Sequence, residues 1–167
     1  MSKIVLPQLA SWTKGHVTAI VEATTAGALD DALKAFLAKD AKITVNGVEV
    51  SHDKYKTLIQ GEKFQEAGAT VAFSGEVQVP SADDPDDFFT AGSVGLFYTA
   101  VVSEAIVIHD VPVQRQLTAS LNVVIEQDTS IPIPKPPSIP IHGFPIVDRR
   151  RVVALNQVIT NGPAPRT

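Results

Sequence analysis

The chain has 167 residues, 44% of them hydrophobic, a formal net charge of −4 and no cysteine. That length supports one sizeable core and is short for two, so a single domain over residues 1–167 is expected. Without cysteine there is no disulfide, no thiolate catalysis and no cysteine-ligated zinc. The acidic balance argues against a nucleic-acid partner, because the single arginine cluster, Arg149 to Arg151, directly precedes an apolar strand pattern.

Along the chain, the apolar run at the N-terminus is broken at Pro7, too early for a signal peptide, and no stretch of 18 apolar residues spans a membrane. A cytoplasmic protein is expected. From Gln8 to Ala23, Leu9, Trp12, Ile20 and Val21 recur at helical spacing, with His16 between Trp12 and Ile20 on one stripe. After Thr24, Thr25 and Gly27, a second helix is predicted with Leu29, Leu33, Phe36 and Leu37 on one face and Asp30 and Asp31 in its first turn, where carboxylates suit the macrodipole.

Residues 42–53 read KITVNGVEVSHD. Asn46 and Gly47 both tolerate positive φ, which predicts a type I′ hairpin pairing Val45 with Val48 and Ile43 with Val50. Ser51 then caps a third helix that buries Tyr55, Leu58 and Ile59 and stops at Gly61.

The rest alternates as strands. Over 69–79 the apolar residues Val71, Phe73, Val77 and Val79 fall at odd positions. An acidic loop follows, and then a long apolar strand over 93–109 with Glu104 at a predicted bulge that turns it to water. A turn over 110–114 leads to the cleanest alternation, Leu117, Ala119, Leu121, Val123 and Ile125. A proline-rich loop over 130–147 precedes a last strand over 151–160 and a frayed tail over 161–167.

Three helices interrupted by a hairpin, then four long strands, resemble the NTF2-like superfamily, which includes the ketosteroid isomerases and SnoaL-type proteins. The resemblance rests on FLAKDAKITVNGVEVSHDKYKTLIQG, residues 36–61, and the strands after it, and covers residues 8–160. It implies a cystatin-like α+β cone: the helices pack into a strongly curved antiparallel sheet, and the hairpin leads into a third helix beside a pocket.

In such a cone, polar residues on apolar faces mark the candidate ligand site: Trp12, His16, Tyr55, Tyr98, His109 and Asp110. His16 is expected beside Trp12 on an internal cavity. Tyr55 and Tyr98 offer phenolic donors able to anchor a ligand or polarise a carbonyl. The isomerase branch would use a base such as Asp110 next to His109 to abstract a proton α to a carbonyl, although Asp110 before Val111 and Pro112 also suits a turn.

The general base and paired oxyanion donors of that chemistry are not identifiable as a set, so the catalytic residues stay unassigned. Asp83, Asp84, Asp86 and Asp87 lack the spacing of a calcium loop. No metal or cofactor is expected. The segment Pro134–Pro137 matches PxxP, but Ile131, Ile133, Ile139, Ile141 and Phe144 make its loop too apolar for a free recognition tail.

Two readings of function follow. One is a noncatalytic protein that binds an apolar small molecule in the cone, self-associates, or both, a homodimer being expected through an uncharged outer strand face (Thr70, Ser74, Gln78, Gln116, Thr118, Ser120, Asn122). The other is a cofactor-independent isomerase, cyclase or dehydratase. A protein-interaction scaffold is a third possibility.

Overall fold

The computed structural model describes residues 7–60, 66–81, 89–108, 111–135 and 147–164. His109, Asp110, the four loop aspartates, Gly61 and the proline-rich loop beyond Lys135 lie outside the described residues.

Helix α1 (Leu9–Glu22) buries Leu9, Trp12, Thr13, Val17 and Ile20. The centre of its buried face is thus the Leu9–Thr13–Val17 line, and Thr13 spends its hydroxyl on the Leu9 carbonyl at 2.7 Å. His16, one step round the helix, is half-buried at the edge of that face. Helix α2 (Ala26–Phe36) is capped by Thr25, whose side chain accepts from Ala28 N at 3.1 Å. Because the helix starts at Ala26, Asp30 falls in its second turn rather than its first. There it pairs with Lys34 on its own helix and with Lys56 on the next.

The hairpin forms as the Asn-Gly pair dictates. Strands β1 (Leu37–Val45) and β2 (Val48–Val50) pair Ile43 with Val50 and Val45 with Val48 around Asn46 at φ 50° and Gly47 at φ 82°. Ser51 caps α3 (His52–Gln60) through Lys54 N at 3.2 Å. Tyr55 is buried, while Leu58 is about half exposed.

The four long strands are β3 (Glu66–Pro80), β4 (Gly92–Ile108), β5 (Val111–Gln127) and β6 (Arg150–Pro163). They run antiparallel, and β1 adds to β6 in parallel, giving one six-stranded curved sheet of order β2-β1-β6-β5-β4-β3. The hairpin is therefore part of the main sheet, a pairing that alternation along single strands does not encode. The Asn46 side chain completes the join: Nδ2 donates to Ile159 O at 3.1 Å, and Oδ1 accepts from Ile159 N at 2.8 Å. That is why a tight hairpin sits between helices: its turn is stitched to the last strand of the chain.

Three irregularities re-aim side chains. A bulge between Phe73 and Gly75 reverses the alternation of β3. Val71 and Phe73 face the core, but Val77 and Val79 stand outside at 64% and 61% exposure. Gln78, expected on the outer face, points inward and accepts from Ala10 N at 2.8 Å. A second bulge, between Val152 and Ala154 on β6, is matched by a register shift against β5. It carries the buried set of β6 from Arg150 and Val152 to Leu155 and Gln157.

The third irregularity falls between Ser103 and Val107, where the bulge at Glu104 was expected. The glutamate is not turned to water. Its side chain is only 16% exposed, and its Oε1 lies 2.8 Å from Arg115 Nε on the neighbouring strand. Strand β5 starts at Val111, opposite Ile108, so residues 111–114 are strand and not the turn expected there. Strand β6 runs to Pro163, paired with Arg115, three residues beyond its predicted end.

Candidate functional site

Gln157 on β6 stands between Tyr55 on α3 and Tyr98 on β4, and all three are buried. The Tyr55 hydroxyl donates to Gln157 Oε1 at 3.1 Å, and Gln157 Nε2 donates to the Tyr98 oxygen at 2.8 Å. A phenol has one hydrogen to give. Tyr55 gives its hydrogen to the amide, whereas Tyr98 receives one and keeps its own. Exchanging the amide oxygen and nitrogen reverses the chain and still leaves one phenolic hydrogen unspent.

Both tyrosines line a cavity of about 310 Å³ whose apolar wall includes Val21, Val45, Ile59, Val102, Leu117 and Ile159. Its other polar lining groups are Asn46, Arg115, Gln157 and Asn161. Tyr98 is fixed laterally by Phe73, with ring centroids 5.9 Å apart.

Burial pushes the Tyr55 phenol well above its ordinary value, with the neighbouring Tyr98 adding to the effect. Burial also pushes Tyr98 up to about 12, against the opposing hydrogen bond from Gln157. Both stay protonated at neutral pH and act as neutral donors or acceptors. Among the described residues, no histidine, aspartate or glutamate lines the cavity. A larger cleft, of about 670 Å³, lies between α2, α3 and residues 128–132, but it is lined by Asp30 and its two lysine partners.

Of the candidate residues, Tyr55 and Tyr98 come together in the cavity. Trp12 and His16 do not line it. Trp12 Nε1 donates to Asp148 Oδ2 at 2.9 Å, and the Arg150 guanidinium lies 5.2 Å from the Trp12 ring centroid. His16 meets Trp12 edge-on at 4.4 Å and stacks with Phe36 at 5.6 Å. Burial lowers its pKa below 6.5; Asp148 opposes that shift, and Arg151 and Arg150 reinforce it.

Arg150, 1% exposed, clasps this end of the molecule. Its Nε and Nη2 hold the two Asp148 oxygens at 2.9 and 2.8 Å. Its Nη1 donates to Pro7 O at 2.8 Å and Phe89 O at 3.1 Å.

Gln157, Arg115 and the Arg150–Asp148 pair were not singled out by sequence. For Gln157 a signal existed, since two tyrosines expected inside an apolar cone require hydrogen-bond partners.

No family model matches this sequence, and no curated protein matches it. Solved structures do match in shape. A candidate scytalone dehydratase from Novosphingobium aromaticivorans superposes with a TM-score of 0.59 at 9% identity, covering 94% of this chain and 86% of that one. The Kfla4162 protein from Kribbella flavida gives 0.58 at 11% identity over 90% and 88%. Mtr2 from Candida albicans gives 0.53 at 10% identity over 92% and 94%. The chain has the NTF2-like fold.

In this NTF2-like cone the cavity lies where α3 and the β1–β2 turn meet the inner face of the sheet. Among the described residues, no group of three metal-ligating side chains is placed to hold an ion, and no helix is long and apolar enough to cross a membrane.

Proposed function

We propose that this NTF2-like protein binds a small, largely apolar molecule in the Tyr55–Gln157–Tyr98 cavity, anchoring one neutral oxygen acceptor of the ligand on the Tyr98 hydroxyl. One observation carries the reading: the buried hydrogen-bond chain ends on a phenolic hydrogen with an apolar cavity beside it. A buried donor left without a partner costs free energy, so an acceptor entering the cavity recovers it.

The proton-transfer alternative needs a base as well as a donor. The described lining supplies the donor alone, which favours binding over turnover.

Titration calorimetry with 1-tetralone and its hydrocarbon counterpart tetralin tests the proposal. The ketone should bind roughly 3- to 10-fold more tightly, the worth of one hydrogen bond. Tyr98→Phe should abolish that preference. A preference for the ketone that persists undiminished in the variant would overturn the reading.

A second observation supports self-association. The outer face of the four long strands is nearly free of charge, with Thr99, Gln116, Thr118, Ser120, Asn122 and Thr160 around exposed Val77, Val79, Phe97 and Val158. Solvated surfaces ordinarily carry more charge, and an apolar patch of this kind favours an interface. A homodimer through this face is the corresponding proposal.

A further inference from the structure

The end of the cavity away from the tyrosines carries a cation. Arg115 lines the same cavity as Tyr55 and Tyr98, and so does Asn161. Arg115 stands opposite Val102 on β4, and Asn161 stands opposite Leu117 on β5, with Val102 and Leu117 both in the cavity wall. Because Arg115 itself pairs with Pro163, two residues on from Asn161, the two residues are diagonal neighbours at about 7–8 Å, within reach of one bound group.

We infer that the ligand of this cavity is an apolar carboxylic acid, its carboxylate held by Arg115 and Asn161 at one end and its neutral oxygen by Tyr98 at the other. This rests on the cavity reading above and names the chemical class of its ligand.

The donor types suit that group. A guanidinium presents a planar fork of N–H groups that matches the two oxygens of a carboxylate, and a carboxamide adds a further N–H. Arginine is also the more weakly hydrated of the two long cations, so it loses less than lysine would against an apolar wall.

Glu104 does not cancel the cation from the ligand's side. It follows Val102 by two residues along β4, in the direction away from Tyr98, and is not among the described residues that line the cavity. Its carboxylate meets Arg115 at Nε, which backs and orients the guanidinium. An incoming carboxylate therefore reaches the cation at hydrogen-bond distance while the glutamate stays farther off, and the nearer charge dominates. One fork backed by a glutamate suits a monoanion rather than a phosphate dianion, for which the repulsion doubles.

The spacing sets the length of the ligand. Tyr98 pairs with Ala119, four residues from Arg115 on β5, so the two anchors stand about 13 Å apart at the level of the backbone. An extended 9-oxodecanoate holds its ketone and carboxylate carbons about 10 Å apart. Hydrogen bonds of about 2.8 Å at each end complete the span. Its methylene chain then lies along Val102, Leu117 and Ile159.

Titration calorimetry at pH 7 with 9-oxodecanoate, its primary amide 9-oxodecanamide and the ketone-free decanoate tests this. Wild type should bind the acid roughly 10-fold or more tightly than the amide, the worth of a charge-assisted contact. Arg115→Gln should bring that ratio close to one and leave the preference for 9-oxodecanoate over decanoate intact. Asn161→Ala, at an exposed position, should reduce the acid preference by roughly 3-fold. A measurement on wild type keeps the test independent of how the variants fold: with a 13C-labelled carboxyl, the bound acid should titrate below its value in water, because Arg115 favours its charged form. An acid that binds no better than its amide, or a preference that survives in Arg115→Gln, would overturn the inference. If the ketone preference still holds in wild type and is lost in Tyr98→Phe, the cavity reading stands without it; if neither end of the probe matters, both fall.

Discussion

Strand β6 sends two polar side chains inward, Arg150 at its start and Gln157 seven residues on, and their surroundings differ. Arg150 is saturated: its guanidinium is divided between the Asp148 carboxylate and two carbonyls from separate parts of the chain. Gln157 relays a hydrogen-bond chain that ends unspent beside a cavity. The contrast separates a polar group that holds the fold from one that can hold a ligand. Burial alone does not distinguish them; the count of donors against acceptors does.

The largest expected effect comes from breaking the saturated end. Arg150→Met should cost roughly 3–5 kcal/mol, because it strands a partly buried carboxylate and two carbonyls that tie Pro7 and Phe89 to β6. Urea denaturation measures it, and the preference for tetralone over tetralin in the folded protein should be unchanged.

Gln157→Leu should cost less, about 1–3 kcal/mol, since it orphans two phenols that both line a cavity able to admit an acceptor. Asn46→Ala removes both side-chain bonds to Ile159 at the cavity wall and should cost about 1–2 kcal/mol. Tyr98→Phe sharpens the comparison most. It should cost about 1–2 kcal/mol, because the phenol oxygen it loses is the acceptor of buried Gln157 Nε2, whereas the phenol's own hydrogen has no partner within the chain.

The smallest effect is the pH dependence of the saturated end. Burial lowers the His16 pKa below 6.5, so the unfolded chain takes up the proton first. Stability is complete above pH 6.5 and falls as the pH drops through the folded-state value. Asp148 acts in a lower window. Burial pushes its pKa up, but the hydrogen bonds from Arg150 outweigh this and hold it below 3.8, so its contribution is lost only in stronger acid. Thermal melts of His16→Phe should flatten the upper window and leave the lower one.

Much of the fold was legible where local chemistry decides it. Asn46 and Gly47 fix the hairpin register because few other residue pairs accept that turn. The unbroken alternation of β5 gives its buried face directly. The site was half legible: Tyr55 announces itself by its helical spacing with Leu58 and Ile59, and Tyr98 as a polar-tipped residue in an apolar run, whereas Gln157 lies beyond a bulge that shifts the inward parity of β6. The same effect on β3 sends Val77 and Val79 outside against their apparent pattern. His16 shows a finer limit, since an i, i+4 line through Trp12 and Ile20 meets the edge of a helix face as readily as its centre.

The central claim is that the cavity anchors a neutral acceptor on Tyr98, and a crystal structure of the protein soaked with 1-tetralone tests it most directly. The account predicts the ketone oxygen about 2.6–2.9 Å from the Tyr98 hydroxyl oxygen, with the rings against Val102, Leu117 and Ile159. A tetralone bound in the cavity with its oxygen turned away from Tyr98, or bound on the outer sheet face while the cavity stays empty, would contradict it.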